Sequence, residues 1–539
     1  MIPLHVHSRF SLLRGIPSPE QIVLFAKEHN LPAIALTDTN GMYGSIQFYK
    51  KAKEEGIKPL LGAYIDDPAD AKIYAVFIPK TRAGYSLMTK IITSRQIKKD
   101  FSLHALLAAP LPDVVVITPV LSLIEAAHPS VELYAELIAQ PTYKHSTREL
   151  YNHIKNKGIP FVASHPVYLV APTQSDYLLH KVVTAIKHKT TLSLLNKRFL
   201  ADEQASLPDP ATSSRLWKGL PDAVANTYKI AESVQYDIEL GKTKFPRFYA
   251  PSGESSYSYL WKLCFQGLSG RYPAFGEQAM KRLEYEVGVI NELGFTDYFL
   301  VVWDIVREAK KRGMVTIGRG SAANSLVSYC LGFTDVDPIK YDLYFERFLN
   351  RGRSSPPDID LDFSWKERDQ IVKYVFDKYG YDRVAMISTT VTFRARSAFR
   401  ETAKVFGIPD SEISEYSKFI PWTSAANLTR LADLFPESKS LTFNEEPWKS
   451  IVEVASRLAG FPRHLSIHPG GIVITPEPIV NYVALEYASN KGLGLIITQP
   501  DMYPIEDLGL IKIDLLSQRS LGVLRDTVQM ITNNKYEGR

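Results

Sequence analysis

Two α/β domains in tandem, the second interrupted by a helical insertion, are the fold class the sequence predicts. Three observations carry this. Short β-rich runs alternate with helical patterns over the first 240 residues, the rhythm of an α/β layer or barrel. From Trp261 the texture turns to long helical stretches, and Lys366 to Ser456 reads as mainly helical, punctuated by Pro409, Pro421 and Pro436. From His468 onward strand-like runs return.

In chain order, Ala33–Leu36, Pro59–Ile65, Ile73–Ile78, Val114–Ile117 and Pro160–Ala163 are apolar runs of strand length. Ser18-Pro19-Glu20 supplies an N-cap, a first-turn proline and an acid, opening a helix through Ala26. A second helix over about Gly44–Glu55 carries Ile46, Phe48, Tyr49 and Ala52. Residues Ala201–Ser214 and Gly241–Ser258, rich in Pro, Ser, Gly and Asp, read as loops or boundaries. Helices follow at Lys281–Asn291 and Tyr298–Arg312, then a strand at Met314–Ile317, a glycine turn, and a helix at Ala322–Leu331 stopped by Gly332. Gly471–Ile474, Leu495–Thr498 and Leu510–Leu515 are the last strands. No repeat of fixed period is present.

Composition excludes several classes. A chain of 539 residues has room for roughly three or four domains, and 45% apolar content excludes disorder. Cys264 and Cys330 alone provide neither a disulfide framework nor a cysteine zinc cluster, so a reducing cytoplasm is the expected location. The start, MIPLHVHSRF, lacks a signal-peptide pattern. The most apolar stretch, Ala105 to Ala127, is broken by Pro110, Pro112, Asp113 and Pro119, so no membrane span is expected. A net charge of +5 is compatible with a polyanionic partner without identifying one.

The sharpest local pattern is PPDIDLDF, residues 356–363. Carboxylates alternate with apolar residues, placing Asp358, Asp360 and Asp362 on one strand face and Ile359, Leu361 and Phe363 on the other. Neighbours on a face are about 6–7 Å apart, so the acids repel unless cations intervene, and Mg²⁺ takes oxygen ligands of this kind. Alone the pattern also fits a solvated strand face. The turn Gly318-Arg319-Gly320-Ser321, between strand and helix, suits close approach of phosphate, although it satisfies neither the P-loop nor the Rossmann pattern. As an isolated turn it also fits a structural role. Arg347 and Arg353 precede the acidic strand and suit phosphate oxygens or plain solvation. Lys512 and Asp514 share one face of a later strand, as a phosphate ligand beside a metal ligand or as an exposed ion pair.

Together these blocks resemble the bacterial DNA polymerase III alpha subunit, the C family of DNA polymerases. The resemblance runs through GFTDYFLVVWDIVREAKKRG (294–313), GRGSAANSLVSY (318–329), FERFLN (345–350), PPDIDLDF (356–363), STTVTFRARSAFRE (388–401), RHLSIHPGGIVIT (463–475) and GLIKIDLL (509–516), in order and over essentially the whole chain. The RHLSIHPGG form looks closer to the error-prone branch. The resemblance implies a PHP-like β/α barrel at 1–240, a palm of the DNA polymerase beta nucleotidyltransferase type at 241–392 and 463–539, and a helical thumb at 393–462. It implies catalytic, metal-binding carboxylates at Asp358, Asp360 and Asp514 for two Mg²⁺ ions, with Asp362 outside the ligand set. It assigns Gly320, Ser321, Arg347 and Lys512 to the incoming nucleotide. The implied reaction is attack of a primer 3′-hydroxyl on the α-phosphorus of a deoxynucleoside triphosphate, on primer–template DNA.

The amino-terminal part resembles the PHP domain, which binds metals in active members. His5 and His7 match its first motif as a possible residual metal pair. Elsewhere the signature is altered: Arg14-Gly15 stands for Asp-Gly, Thr37-Asp38-Thr39 for Thr-Asp-His, Tyr64 for a glutamate, and His165-Pro166-Val167-Tyr168 for Asn-Asp-x-His. No metal is therefore expected there, and a structural role is. Fingers and C-terminal domains of the family are expected to be absent, with Ser517 and Gln518 departing from the usual Gly-Leu. A separate C-terminal polymerase fragment, a sliding clamp or other replisome subunits are then the expected partners. Two other readings stay open: a split or non-catalytic DNA-binding fragment, and a PHP-type phosphoesterase or 3′–5′ exonuclease.

Overall fold

The computed structural model describes the backbone of residues 1–536 apart from 275, 353–356, 442 and 489–493. The chain forms two compact units: Met1–Asp237 with Thr389–Ser466 and Val483–Asn490, and Ile238–Ser388 with Ile467–Tyr482 and Lys491–Arg539.

In the first unit, β1 (Ala33–Leu36) pairs in parallel with β2 (Lys58–Leu61). Strands β3 (Ala63–Asp66), β4 (Tyr74–Pro79), β5 (Val114–Thr118), β6 (Glu132–Ile138) and β7 (Phe161–Ser164) form a sheet in that order. Backbone bonds close the ring. Thr37 N–H donates to Val6 O at 2.8 Å, His7 N–H to Val167 O at 2.9 Å, and Tyr64 N–H to Asp38 O at 3.1 Å. The result is a distorted β/α barrel, because β3–β4 and β4–β5 are antiparallel while β5–β6 and β6–β7 are parallel. Leu4, Ala35, Leu60, Val76, Ile117 and Val162 fill its interior, joined by Ile230 and Ala231 of the helix Pro221–Ser233.

The helical insertion joins this unit. Phe399 of the helix Ala395–Val405 and Ile451 of the helix Trp448–Ser456 share one core with Leu179, Val182 and Val183 of the helix Gln174–His188. Each helix has an apolar stripe that must be covered, and here each covers the others. A short strand, β12 in chain order (Leu485–Tyr487), lies against the helix Arg82–Ile97, with Leu485 N–H donating to Thr93 Oγ1.

The second unit is built on β8 (Thr316–Arg319), β9 (Asp360–Ser364), β10 (Val384–Thr392), β11 (Pro462–Ile474), β13 (Ile496–Asp501) and β14 (Lys512–Gln518). Their order is β13-β10-β11-β14-β9-β8. Strands β9 and β14 are central and parallel, and β8 and β11 flank them antiparallel. The alternation read in the acidic strand holds: Ile359, Leu361 and Phe363 are fully buried. Helices Thr296–Lys311 and Arg368–Tyr379 pack against one another in this unit.

Three strands escaped the sequence pattern: the short β12, β6 and β10. β6 carries Glu132 and Glu136 inside what would otherwise be an apolar run, and Glu136 is nonetheless fully buried, bonded to His5 and Ser164. β10 lies within the stretch expected to be mainly helical; its VAMISTTVT is β-branched and pairs with β13.

Candidate metal centre

Parallel register sets the acids side by side. Asp514 on β14 is the direct partner of Asp360 on β9, and Asp358 precedes Asp360 on the same face. One carboxylate oxygen from each lies within 4.8 Å of the other two. Asp358 is exposed, Asp360 half-buried and Asp514 buried, so the group is open on one side and rooted in the sheet on the other. Asp514 Oδ2 accepts from Lys512 Nζ at 2.8 Å. Among the described residues its Oδ1 is buried without a hydrogen-bond partner. A buried, unpartnered carboxylate oxygen is costly unless something cationic completes it. Desolvation first, then the charges of Asp358 and Asp514, raises the Asp360 pKa. Three converging hard oxygens with that electrostatic need fit a divalent cation such as Mg²⁺.

Asp362, on the same strand face, takes a different role. Arg319 Nε on β8 approaches its Oδ2 to 2.8 Å, and Gln518 Nε2 donates to its Oδ1 at 3.4 Å. Among the described residues it does not join the convergent group.

Several side chains set the geometry. Tyr298, fully buried, donates its hydroxyl to Pro357 O at 3.1 Å, fixing the backbone just before Asp358. Burial first, then Asp358, pushes its phenol pKa up, so the donor proton stays in place. Arg368 donates from Nε to Leu515 O at 2.9 Å and from Nη2 to Pro469 O at 3.2 Å, tying β14 to the β11 segment. His468 Nδ1 accepts from Gly471 N–H at 2.7 Å. That nitrogen also lies 3.6 Å from Asp514 Oδ1, where two acceptors cannot bond each other. A Cβ on Gly471 would stand 2.8 Å from His468 Nδ1, so glycine is needed for the approach.

The glycine turn is correctly located but differently built. Gly320 has φ +68 and open space where a Cβ would be. Gly318 passes so close to Phe333 O that a Cβ would sit at 2.3 Å. Ser321, half-buried, begins no helix: Gly320–Asn324 is a 3₁₀ segment, and the following helix is only Leu326–Leu331, capped by Ser325. This corrects the expected helix over Ala322–Leu331. The physical reason is Glu286, a fully buried acid on the helix Glu277–Glu292. It accepts from Ser325 Oγ at 2.8 Å and from Val327 N–H at 3.1 Å, and Arg282 Nε lies 2.9 Å from its Oε1. The short helix's amino end is thus occupied by a protein carboxylate. Arg347 lies exposed in the 3₁₀ turn Phe345–Arg347. Arg353 lies outside the described residues.

In the first unit, His5 and His7 do converge, with Nε2 atoms 3.0 Å apart. Their other nitrogens are engaged. His5 Nδ1–H donates to Glu136 Oε1 at 2.7 Å, and His7 Nδ1 lies 3.2 Å from Thr39 Oγ1. Burial lowers the His7 pKa first, and His5 and Arg14 add to it. Asp38 accepts from Ser8 N–H at 2.7 Å and Ser11 Oγ at 2.6 Å. Tyr168 stacks on His7 at 4.3 Å, and the Arg14 guanidinium lies 4.7 Å from the Tyr64 ring centre. These are the positions where the family pattern was altered. No set of three or more converging ligands occurs in this unit among the described residues.

Sheet and acids together define an α/β protein with three converging carboxylates on two adjacent parallel strands, preceded by a β/α barrel. Comparison with known proteins shows what the chain is similar to. The bacterial DNA polymerase III alpha NTPase domain matches residues 258–517, and the PHP domain matches residues 3–112. An error-prone DNA polymerase of Symbiobacterium thermophilum is 33% identical over 99% of this chain and 53% of its own. The DNA polymerase III subunit alpha of Bacillus subtilis is 34% identical over 98% of this chain and 49% of its own. The chain is a relative of the bacterial DNA polymerase III alpha subunits and carries both of these domains. It spans about half the length of the curated relatives it matches. The relatives named error-prone DNA polymerase and DNA polymerase III subunit alpha match almost equally, so identity favours neither branch. Among the described residues, no helix is long and apolar enough to cross a membrane.

Proposed function

We propose that the chain contributes the catalytic palm of a DNA-directed DNA polymerase, transferring deoxynucleotides to a primer 3′-hydroxyl on a DNA template. The observation that carries this reading is the convergence of Asp358, Asp360 and Asp514, with Asp514 Oδ1 buried and unpartnered. These three side chains hold the divalent cations, which when bound supply Lewis acidity at the transferred phosphorus. Lys512, held against Asp514, keeps a cation where the triphosphate gains negative charge. Burial opposes its charge, but the hydrogen bond and charge of Asp514, with the charges of Asp358 and Glu506, together raise its ammonium pKa. The backbone at Gly320 and Ser321 and the exposed Arg347 are the proposed triphosphate contacts.

Asp362, neutralised by Arg319, positions β8 against β9 and leaves cation binding to the other three. The insertion 393–462 is assigned to duplex backbone contact, which is sequence-independent and salt-sensitive. The barrel is assigned a supporting role without a bound metal cluster.

Single-nucleotide incorporation into a labelled primer–template tests the reading. Wild type and Asp360→Ala are compared, alone and with a polypeptide covering the remaining half of the Bacillus subtilis relative. Incorporation that disappears with Asp360→Ala is expected. Equal incorporation by both proteins would remove the triad from the chemistry. Mn²⁺ binding followed by electron paramagnetic resonance gives a second readout that does not depend on turnover.

A further inference from the structure

In the second unit, the end of the helix Arg368–Tyr379 and the end of β11 border a cavity of about 260 Å³ that the polymerase reading does not use. Four cations stand around it, Arg247, Arg307, Lys378 and Arg383, against a single carboxylate, Asp304. Asp304 is buried and already committed. Tyr374 and Tyr379 donate their hydroxyls to its Oδ2 at 2.8 and 3.0 Å, and Arg307 Nη2 lies 2.5 Å from its Oδ1. Of the acids close by in sequence, Asp377 is answered by Lys373 at 2.7 Å and by the Tyr381 hydroxyl at 2.9 Å. Asp382 stands in the open, 3.8 Å from Arg383 Nε. The cations therefore outnumber the acids free to answer them. Arg247 and Lys378 are exposed, and no ion pair or hydrogen bond of either charged group occurs among the described residues.

The rest of the wall is aromatic and held in place before any ligand arrives. Phe248 stacks on Tyr259 at 5.9 Å, and Trp303 meets the Tyr259 ring edge-on at 5.7 Å. The Arg307 guanidinium lies 4.6 Å from the Trp303 ring centre. Arg383 Nη1 donates to Pro476 O at 3.1 Å, and Thr475 donates its N–H and its hydroxyl to Arg383 O at 3.0 and 3.1 Å. Tyr249 departs from this packing: it lines the cavity yet is 76% exposed. Arginine beside an uncovered aromatic ring is the composition of interface hot spots. Size narrows the ligand further. About 260 Å³ falls below the range of roughly 300–1,000 Å³ usual for small-molecule sites, but it admits one large side chain.

We propose that this cavity docks an acidic segment of another protein, one aromatic side chain entering it while flanking carboxylates meet Arg247, Lys378 and Arg383. Arginine and lysine recognise carboxylates by charge-assisted bonds, and the Tyr249 ring offers the inserted side chain an aromatic contact. A single strand of nucleic acid also carries anions and rings, but it calls for a cationic groove that tracks its backbone. Here the cations surround one small cavity, which favours the peptide. The site is separate from the aspartate centre. Thr475 lies four residues beyond Gly471, the strand partner of Asp514, or roughly 13 Å along an extended chain. The proposal does not depend on the polymerase assignment.

Fluorescence anisotropy with the full chain, in EDTA and at low salt, tests this. The probe is a fluorescein-labelled peptide, Asp-Asp-Glu-Phe-Asp-Asp. It is compared with the same peptide carrying serine in place of phenylalanine, a peptide with lysine in place of every acid, and labelled oligothymidylate. The acidic phenylalanine peptide should bind saturably, the serine peptide at least tenfold more weakly, and the lysine peptide not at all. The double variant Arg247→Glu, Lys378→Glu should weaken binding tenfold or more, and Tyr249→Ala several-fold, while Asp360→Ala should bind as wild type does. Melting curves establish that the variants are folded; should the charge reversal fail to fold, Arg247→Ala takes its place. No saturable binding of the acidic peptide, or unchanged affinity in the charge-reversed protein, overturns the proposal. Oligothymidylate that binds more tightly than the peptide, and loses that binding in the same variant, would make the cavity a single-strand site and overturn it equally.

Discussion

Arg319 Nε lies 2.8 Å from Asp362 Oδ2, on neighbouring antiparallel strands. This contact separates the third acid of the alternating strand from the other two. An acid with its own cation loses a local pairing when neutralised, whereas an acid in the convergent group loses a ligand. Asp358→Asn, Asp360→Asn and Asp514→Asn should each weaken Mn²⁺ binding at least tenfold and abolish nucleotide incorporation. Asp362→Asn should weaken either by no more than a few fold. Equal loss in Asp362→Asn and Asp360→Asn would show that the ligand set is wrongly divided.

Tyr298→Phe removes one buried donor and leaves the Pro357 carbonyl without it. The stability loss should be about 1 kcal/mol, seen in urea unfolding. Because the same bond holds the backbone ahead of Asp358, Mn²⁺ affinity should fall several-fold as well. A stability change with unaltered Mn²⁺ affinity would limit Tyr298 to packing.

Glu286 answers three donors from inside the protein. Burial raises its pKa, yet the carboxylate remains the acceptor that shapes the turn after Gly320. Glu286→Ala leaves Arg282 and the Ser325 cap unanswered and should cost about 3 kcal/mol. Glu286→Gln keeps an acceptor and should cost less. Calorimetric melting of the two variants side by side distinguishes them; equal costs would mean that the charge, rather than the acceptor, is what matters.

His180 gives the fold a defined acid sensitivity. Its Nδ1–H donates to Arg14 O and its Nε2 accepts from Ala201 N–H, both at 3.0 Å, so the ring must stay neutral. Burial lowers its pKa from 6.5 to about 4. Between those values the unfolded chain takes up a proton that the folded chain refuses. The stabilisation is full above pH 6.5 and is lost as pH falls through about 4, amounting to about 3 kcal/mol. Chemical denaturation from pH 7 to pH 5 should show the decline, and His180→Gln should flatten it. His7 shifts in the same direction, so some slope remains in the variant. An unchanged slope in His180→Gln would place the effect elsewhere.

Much of the candidate centre was legible in sequence because strand period is a local property. Asp358, Asp360 and Asp362 share a face wherever that segment is extended, and Lys512 with Asp514 likewise. The glycine turn was legible for a similar reason, since Gly320 adopts a backbone conformation that few other residues tolerate. Glu286 left no such trace: one acid in a mixed-charge helical stretch reads as solvated, and only the fold brings Ser325 to it. Tyr298 and Arg368 look like ordinary members of amphipathic helices until the carbonyls they serve arrive from other strands.

What the sequence determined by itself was therefore the alternation of acids, the apolar runs of the barrel strands, and the family to which their order points. Tertiary structure decided which acids converge. Asp514 meets Asp360 through the parallel pairing of strands more than 140 residues apart, and Asp362 is answered by Arg319 from the opposite neighbour. It also decided that the insertion shares a core with the helix Gln174–His188. Periodicity reports the direction of each side chain about its own element. Long-range pairing and burial set which of those directions meet, and they alone leave Asp514 Oδ1 without a partner among the described residues.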